Sequence, residues 1–575
     1  MAYKDEYLKW LDNPSLDAEM KAELEAMKDD EKAIESAFFA SLSFGTAGLR
    51  GVMGAGLYRM NKYTVARASK GLADFITESG KEAMEKGCAI CCDSRNNSPE
   101  FAKITACVLA AAGIKVYLFD ELRPTPELSY AIRHYGYQAG VNITASHNPK
   151  EYNGYKVYWD DGAQISPVIA DKVSSYIEAT DIFNVPTVDF EEAQKSGMIT
   201  MLGKEVDEDF FAKILSHSIN PGAVKAAADA FKVVYTPLHG AGYREVPEVL
   251  RRLGLKHILC VKEQMVTDGD FPTVASPNPE NKEALTMAIA MAKENDIDLV
   301  IGTDPDADRV GTAVRNSSGE YVTLTGNQMG VLLLDYIIRC RREMGTLSDK
   351  AFAVTTIVST RMAEAVAKAN GVTMTYAFTG FKFLAERINT FTADGYQYLL
   401  GFEESYGYLP GNYARDKDAV GTSALIAEMA AYYHLQGKTL YDVMQECYAK
   451  YGCFGDLTLN LVMPGLDGLA KMARIMKSLR ETPPAEIASF PVVAVADHLI
   501  GVKKTAAGEE TLPEHLTKSN VLAFTLEGGA ELIVRPSGTE PKIKVYVKAC
   551  TDSEEKARAL TETLADAFKK LTESL

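Results

Sequence analysis

From about residue 63 to residue 450, short apolar runs of strand length alternate with longer segments of helical period. In the first stretch, helices are predicted over 65–78, 98–113 and 127–135, and strands over 88–92, 115–119 and 139–143. Tyr152-Asn153-Gly154 carries a turn signal before a further strand over 155–159. The periodicity weakens around 180–210, which places a junction near 205. A second unit predicts strands over 231–235, 257–261 and 297–302, with helices over 246–253 and 282–295. A third has helices over 330–341 and 361–369, strands over 351–358 and 397–402, and a helix running to Leu435. The pattern changes again near 451–456, where a smaller domain begins; 542–547 alternates like an edge strand and 554–575 closes as an amphipathic helix. Residues 1–42 are charged and helical, broken at Asn13-Pro14-Ser15, with Ser15 or Asp17 starting the second helix. This rhythm predicts an α/β fold: three α/β domains with mixed, mainly parallel sheets and a smaller α+β C-terminal domain. The expected spans are 1–205, 206–325, 326–453 and 454–575.

Length agrees with that division, since 575 residues correspond to about four domains at ~150 residues each. Charge narrows the partners. With 61 basic against 78 acidic residues, the net charge of −17 disfavours nucleic acid and anionic membrane surfaces. An anionic substrate then needs a local basic pocket. No uninterrupted apolar run of about 18 residues occurs, and the charged start Met1–Glu6 does not read as a signal peptide. The nine cysteines are few and odd in number; Cys88, Cys91 and Cys92 cluster in an apolar run with no second pair at zinc spacing and read as buried thiols, which fits a reducing cytoplasm. The sequence carries no signal for oligomeric state.

Candidate chemistry falls where strands are predicted to end. Thr144-Ala145-Ser146-His147-Asn148-Pro149 follows the 139–143 run, so Ser146 sits on a tight loop that suits a nucleophile or phosphate carrier; an ordinary Ser/Asn-Pro turn has the same composition. Upstream, Gly45-Thr46-Ala47-Gly48-Leu49-Arg50-Gly51 brackets one guanidinium with small residues, as an anion-binding loop or as a glycine turn. Arg95 and Arg123 follow strands and are compatible with functional or solvated positions. After the 297–302 strand come Asp304, Asp306 and Asp308, at i, i+2 and i+4. In extended backbone all three face one point, and three hard oxygen ligands there suit a divalent cation, Mg²⁺ first. Lys382 stands in a loop, and Glu403 and Ser405 follow the 397–402 strand with the spacing for sugar hydroxyls. Arg415 and Asp416, just after, read as solvent-facing charges. Finally, Arg535-Pro536-Ser537-Gly538-Thr539-Glu540 follows a strand as an anion nest with its own arginine.

The Gly-Thr-Ala-Gly-Leu-Arg-Gly, Ser146, triple-Asp, Glu403/Ser405 and Arg535–Glu540 motifs stand in one order across nearly the whole chain. Together they resemble the α-D-phosphohexomutase superfamily. Ser-Phe-Gly-Thr-Ala-Gly-Leu-Arg-Gly and Gly-Phe-Glu-Glu-Ser-Tyr-Gly are similar to the branch of bacterial α-phosphoglucomutases and phosphopentomutases. The resemblance implies four domains around a central cleft, Ser146 carried as phosphoserine, and Mg²⁺ held by Asp304, Asp306, Asp308 and that phosphoserine. It implies a sugar site at Glu403 and Ser405, and a site for the non-reacting phosphate at Arg535, Ser537, Gly538 and Thr539. Arg309, Lys382 and Lys417 join the expected substrate contacts, and Lys156, Arg50 and His147 the expected catalytic set. Some relatives carry His two residues after the sugar-loop serine. Gly407 stands there, which leaves Lys156 as the general base and acid, with a lowered pKa.

The implied reaction interconverts glucose 1-phosphate and glucose 6-phosphate through glucose 1,6-bisphosphate, which is intermediate and activator. A phosphopentomutase or phosphomannomutase by the same route is the alternative. A metal-dependent sugar-phosphate phosphatase would use the same serine and cation, and a silent sugar-phosphate binder would use neither for turnover.

Overall fold

The computed structural model describes residues 2–45, 48–463, 467–537 and 542–575. They divide into two compact units, Met1–Gly326 with Leu400–Thr439, and Asn327–Leu399 with Leu440–Leu575.

The first unit holds two sheets. The larger is built from β1 (Leu49–Val52), β2 (Cys88–Cys92), β3 (Val116–Phe119), β4 (Ala139–Ile143), β5 (Tyr152–Trp159) and β6 (Ile199–Leu202), in the order β1-β5-β4-β2-β3-β6. β4, β2, β3 and β6 run parallel, while β5 and β1 add antiparallel on the β4 side. Helices cover both faces, so β2 is apolar at every position. Cys88, Ile90 and Cys92 enter one core with the helices Lys62–Glu78 and Ser98–Ala111. Ala89 and Cys91 enter the other with Leu128, Ala131 and Ile132 of helix Thr125–Tyr135. The second sheet, β7 (Lys232–Thr236), β8 (His257–Cys260), β9 (Leu299–Thr303), β10 (Val310–Arg315) and β11 (Tyr321–Leu324), has the order β11-β10-β9-β7-β8, with β8, β7 and β9 parallel.

Several local expectations change. Tyr152-Asn153-Gly154 lies in β5, and the turn falls earlier, over 146–151. The Asn153 side chain is consumed by the Asn96 carbonyl and the Ser98 hydroxyl, both at 3.0 Å. A Cβ on Gly154 would lie 2.4 Å from the Thr144 oxygen, so the glycine serves strand packing. The expected 282–295 helix opens as a 3₁₀ turn, Lys282–Leu285, before the α-helix Thr286–Glu294. At the N-terminus, Asp17 caps the second of three helices through the Glu19 and Met20 amides, and Trp10 packs edge-on to Phe38, Tyr63 and Phe183.

The second unit contains β12 (Ala351–Thr356) and β13 (Thr373–Ala377), paired in parallel. β14 (Gln397–Phe402) carries the chain back to the first unit, where it pairs with β15 (Tyr408–Leu409). The C-terminal part is an antiparallel sheet in which strand Lys542–Thr551, expected at an edge, is instead interior, paired with Cys453–Val462 on one side and Glu531–Pro536 on the other; helices Gly468–Glu481 and Glu554–Glu573 pack on it. Among the described residues, no helix is long and apolar enough to cross a membrane.

Candidate active site

The serine loop is clamped from beneath. Arg95 leaves β2 with a side chain shielded from solvent. Its Nη1 donates to the Pro149 and Tyr152 carbonyls at 2.9 and 3.0 Å, and its Nη2 to those of Ser146 and Asn148 at 2.5 Å. Asp93, fully buried, lies 3.3 Å from Arg95 Nε and accepts from the Thr144 hydroxyl at 2.6 Å. That guanidinium satisfies four carbonyls turned inward by the loop; Arg95 and Arg123, the two arginines that the sequence left open, are both buried. Ser146 is held at φ +53°, a left-handed backbone that costs a non-glycine residue about 1 kcal/mol or more. The conformation turns its Oγ toward the acidic loop.

Ser146 Oγ donates to Asp304 Oδ2 at 2.7 Å and lies 3.1 Å from His147 Nδ1. Burial, then Arg309 and Arg50, push the His147 pKa well below its ordinary value, so the ring is neutral. Arg50 reaches over the same loop, its Nη1 bonding Asn148 Oδ1 at 3.2 Å.

Asp304, Asp306 and Asp308 do converge, but not by strand alternation. They lie in a turn after β9, closed by Ala307 N–H to the Asp304 carbonyl at 2.9 Å, with Ala307 at φ +48°. Asp304 Oδ1 accepts from the Asp308 and Arg309 amides. Pieces distant in sequence pin the turn: the Asp306 carbonyl accepts from Thr125 N–H, Pro305 from Ala241, Ala307 from Ala419, and Val310 N–H donates to Tyr406. One oxygen from each carboxylate lies within 4.8 Å of the others, and all three residues are buried. Asp306 Oδ1 and Asp308 Oδ1 are buried and accept no hydrogen bond. Two orphaned anionic oxygens beside a third carboxylate are the donor set of a hard divalent cation, so the residues fit such an ion.

Two lysines face this cluster. Lys156 Nζ lies 2.6 Å from Asp306 Oδ2 and 3.2 Å from Asp308 Oδ2. Lys417 Nζ lies 3.1 Å from Asp308 Oδ2 and 2.8 Å from Asp416 Oδ1. Burial pulls the Lys156 ammonium down, but Asp306 and Asp308 outweigh it and the net pKa is raised. The lowered pKa expected of a base is thus not produced while both carboxylates are free to pair with it. Burial raises the Asp304 pKa, its two neighbours raise it further, and it ends well above the carboxylate range. Burial would also raise that of Asp308, yet Lys156 and Lys417 bring it below the ordinary value.

Asp416 and Arg415 are not solvent-facing. Asp416 is 1% exposed and accepts from Tyr158 Oη at 2.8 Å and Gln164 Nε2 at 3.0 Å, while Arg415 is 4% exposed and caps carbonyls 412 and 414. A run of four alternating charges has the signature of a surface loop; only the fold reveals that Tyr158 of β5, Gln164 just beyond it and Asp308 are among its partners. Arg309 forms an ion pair with Glu280, and its backbone bridges to Gly407. Glu403, 4% exposed, leaves β14 with its N–H on the Gly407 carbonyl, and Ser405 is half-buried in the same turn. A Cβ at Gly407 would meet Lys417 Cδ at 2.1 Å, so Lys417 fills the space that a larger residue there would need.

The remaining expected residues belong to the second unit. Lys382, expected in a loop, is instead in the first turn of helix Phe381–Ala393, where burial lowers its pKa to about 8. Arg535 is the penultimate residue of strand Glu531–Pro536, and Ser537 N–H donates to the Lys542 carbonyl at 2.8 Å. Gly538 and Thr539, like Thr46 and Ala47, lie outside the described residues.

Profiles of the phosphoglucomutase/phosphomannomutase α/β/α domains I, II and III match residues 41–182, 208–319 and 325–451, and that of the C-terminal domain matches 471–567. The chain belongs to the phosphoglucomutase/phosphomannomutase family. The superfamily inferred from its five motifs is therefore the right one, as are the mixed α/β fold class and the four-domain architecture. Within this family it is 38% identical to a phosphoglucomutase of Staphylococcus epidermidis over 89% of this chain and 91% of that one. It is 37% identical to a phosphoglucomutase of Staphylococcus aureus strain N315 over 96% and 97%. In fold it resembles a phosphoglucomutase/phosphomannomutase family protein of Burkholderia thailandensis (TM-score 0.66, 17% identity, 93% of this chain and 98% of that one). It likewise resembles the open form of pp63/parafusin, a phosphoglucomutase of Paramecium (0.67, 16%, 93% and 94%).

Proposed function

We propose that the protein is a phosphoglucomutase that interconverts glucose 1-phosphate and glucose 6-phosphate through a phosphorylated Ser146. The observation that supports it most is the 2.7 Å contact of Ser146 Oγ with Asp304, inside the carboxylate cluster. Had the serine and the aspartates faced different cavities, the reading would have failed.

The phosphoryl group on Ser146 Oγ passes to the free hydroxyl of a sugar monophosphate, giving glucose 1,6-bisphosphate and a free serine. After the bisphosphate turns over, its other phosphoryl returns to Oγ. Catalysis of such transfers is mainly positioning and charge neutralisation. Asp304, Asp306, Asp308 and the phosphoserine would hold the cation, Mg²⁺ by its preference for oxygen ligands. That ion, when bound, supplies Lewis-acid withdrawal of charge from the transferring group. Lys156 and Lys417, buried beside the carboxylates, are placed to hold or move the proton of the attacking hydroxyl. Neutral His147 orients Oγ, Arg50 and Arg309 take phosphate oxygens, and Glu403 and Ser405 take sugar hydroxyls. To Lys382, Arg535, Ser537, Gly538 and Thr539 we assign the phosphate that does not react. Six of the nine cysteines are buried, in keeping with a cytoplasmic protein, which fractionation would check.

A coupled assay with glucose, mannose and ribose 1-phosphates, with and without bisphosphate and Mg²⁺, tests the assignment. Glucose 6-phosphate should form fastest, dependent on Mg²⁺, and Ser146→Ala should abolish turnover while still binding glucose 1-phosphate. Full activity in Ser146→Ala, or release of inorganic phosphate without glucose 6-phosphate, would refute it.

A further inference from the structure

We infer that Thr125, oriented by Asn142, is a positioning residue for the divalent cation: it dictates which oxygen of Asp306 is offered to the ion. The inference rests on the reading that the three aspartates hold such an ion.

Thr125, Asn142 and Asp306 are each 0% exposed. Thr125 is the first residue of helix Thr125–Tyr135, anchored through the neighbouring Arg123, whose Nε lies 2.6 Å from Asp207. Its Oγ1 donates to Asp306 Oδ2 at 2.8 Å and accepts from Asn142 Nδ2 at 2.7 Å. A hydroxyl has one proton, and an amide nitrogen only donates. With Asn142 Nδ2 pointing at it, Thr125 must spend its proton on Asp306. Turning the Asn142 amide over would draw that proton to the amide oxygen. Two oxygen lone pairs would then face each other at 2.8 Å in a buried site, so the contact with Asp306 selects the amide orientation. Asn142 Oδ1 is left without a partner, a cost the fold accepts to keep this direction.

The second donor to Asp306 Oδ2 is Lys156 Nζ, at 2.6 Å. Asn142 on β4 and Lys156 on β5 are directly opposite in the antiparallel ladder. Cross-strand neighbours share a face, so this one pair aims two donors at one carboxylate oxygen, directly from Lys156 and through Thr125 from Asn142. Oδ2 is thereby occupied, and Oδ1, which accepts nothing, keeps its lone pairs for the cation. The Thr125–Asn142 arm adds no positive charge to the site. It is also not needed to hold the loop, because Thr125 N–H already bonds the Asp306 carbonyl at 2.8 Å. Two buried polar side chains spent on the carboxylate oxygen that is turned away from the ion are what outer-shell orientation of a metal ligand requires.

The test is calorimetric titration of the purified full-length chain with Mn²⁺ alone, on wild type, Thr125→Ser and Thr125→Val, with Tm measured in metal-free buffer. Thr125→Val should weaken Mn²⁺ binding by about 10–100-fold, while Thr125→Ser, which keeps the donor, stays close to wild type. If valine prevents folding, Thr125→Ala takes its place with the same expectation. Unchanged affinity in the folded Val or Ala variant, or an equal loss in Thr125→Ser, would overturn the role of Thr125 alone. A wild-type chain that binds no Mn²⁺ would overturn the cation reading and this inference with it.

Discussion

Replacing Arg95 should lower kcat far more than it changes KM, because the guanidinium shapes the serine loop without touching substrate. In Arg95→Lys the ammonium keeps its charge near Asp93, but it has three protons on one atom and cannot reach carbonyls of residues 146, 148, 149 and 152 together. Losing two of these bonds, at about 1.5–3 kcal/mol each for a charged donor, gives an expected stability loss of about 3–6 kcal/mol before relaxation. Arg95→Met also leaves Asp93 buried without its partner, and such a broken pair alone costs about 3–5 kcal/mol. With the clamp loosened, Ser146 can relax from φ +53° and its Oγ moves off Asp304. A misplacement of about 1 Å at a reacting atom costs roughly 10²-fold in rate. Urea unfolding and steady-state kinetics on Arg95→Lys, well below its transition, measure both quantities. Wild-type kcat in that variant, or a raised KM at constant kcat, would show that the loop does not depend on Arg95.

Glu127 lies buried with Asp207, Glu245, Arg123 and Arg244, three carboxylates against two guanidinium groups. Burial, then repulsion from Asp207 and Glu245, raise its pKa well above the usual range, which favours the neutral acid. Glu127→Gln should therefore cost under about 1 kcal/mol at pH 6 by urea unfolding, whereas an ionised Glu127 paired to Arg123 would make it cost about 3–5 kcal/mol. A raised carboxyl pKa contributes stability at low pH that is lost as pH rises through the folded value, so the variant should lose less stability than wild type on the alkaline side. Lys382, with a pKa lowered to about 8 by burial, should show a midpoint for amine acylation near pH 8, shifting upward when sugar phosphate is added. A midpoint near its ordinary 10.5 would refute the burial argument.

Local pattern alone determined the α/β rhythm and the strands that precede each loop, and it marked candidate residues on those loops. Burial on both faces writes itself into a run such as Cys88–Cys92, and a loop at a strand end reads as punctuation whatever its partners. Tertiary structure decided what those loops hold and what holds them. The aspartates converge through a turn pinned by residues 125, 241, 406 and 419, not through strand geometry. Asp416, Arg95, Asn142 and Thr125 look like ordinary polar residues along the chain, because a side chain's type records neither its burial nor its partner's position. Arg95 gained its part when the serine loop folded over it, Asp416 when β5 brought Tyr158 to it, and Thr125, turned by Asn142, when the turn after β9 put Asp306 within hydrogen-bond reach; such energies depend on distance in space, not in sequence.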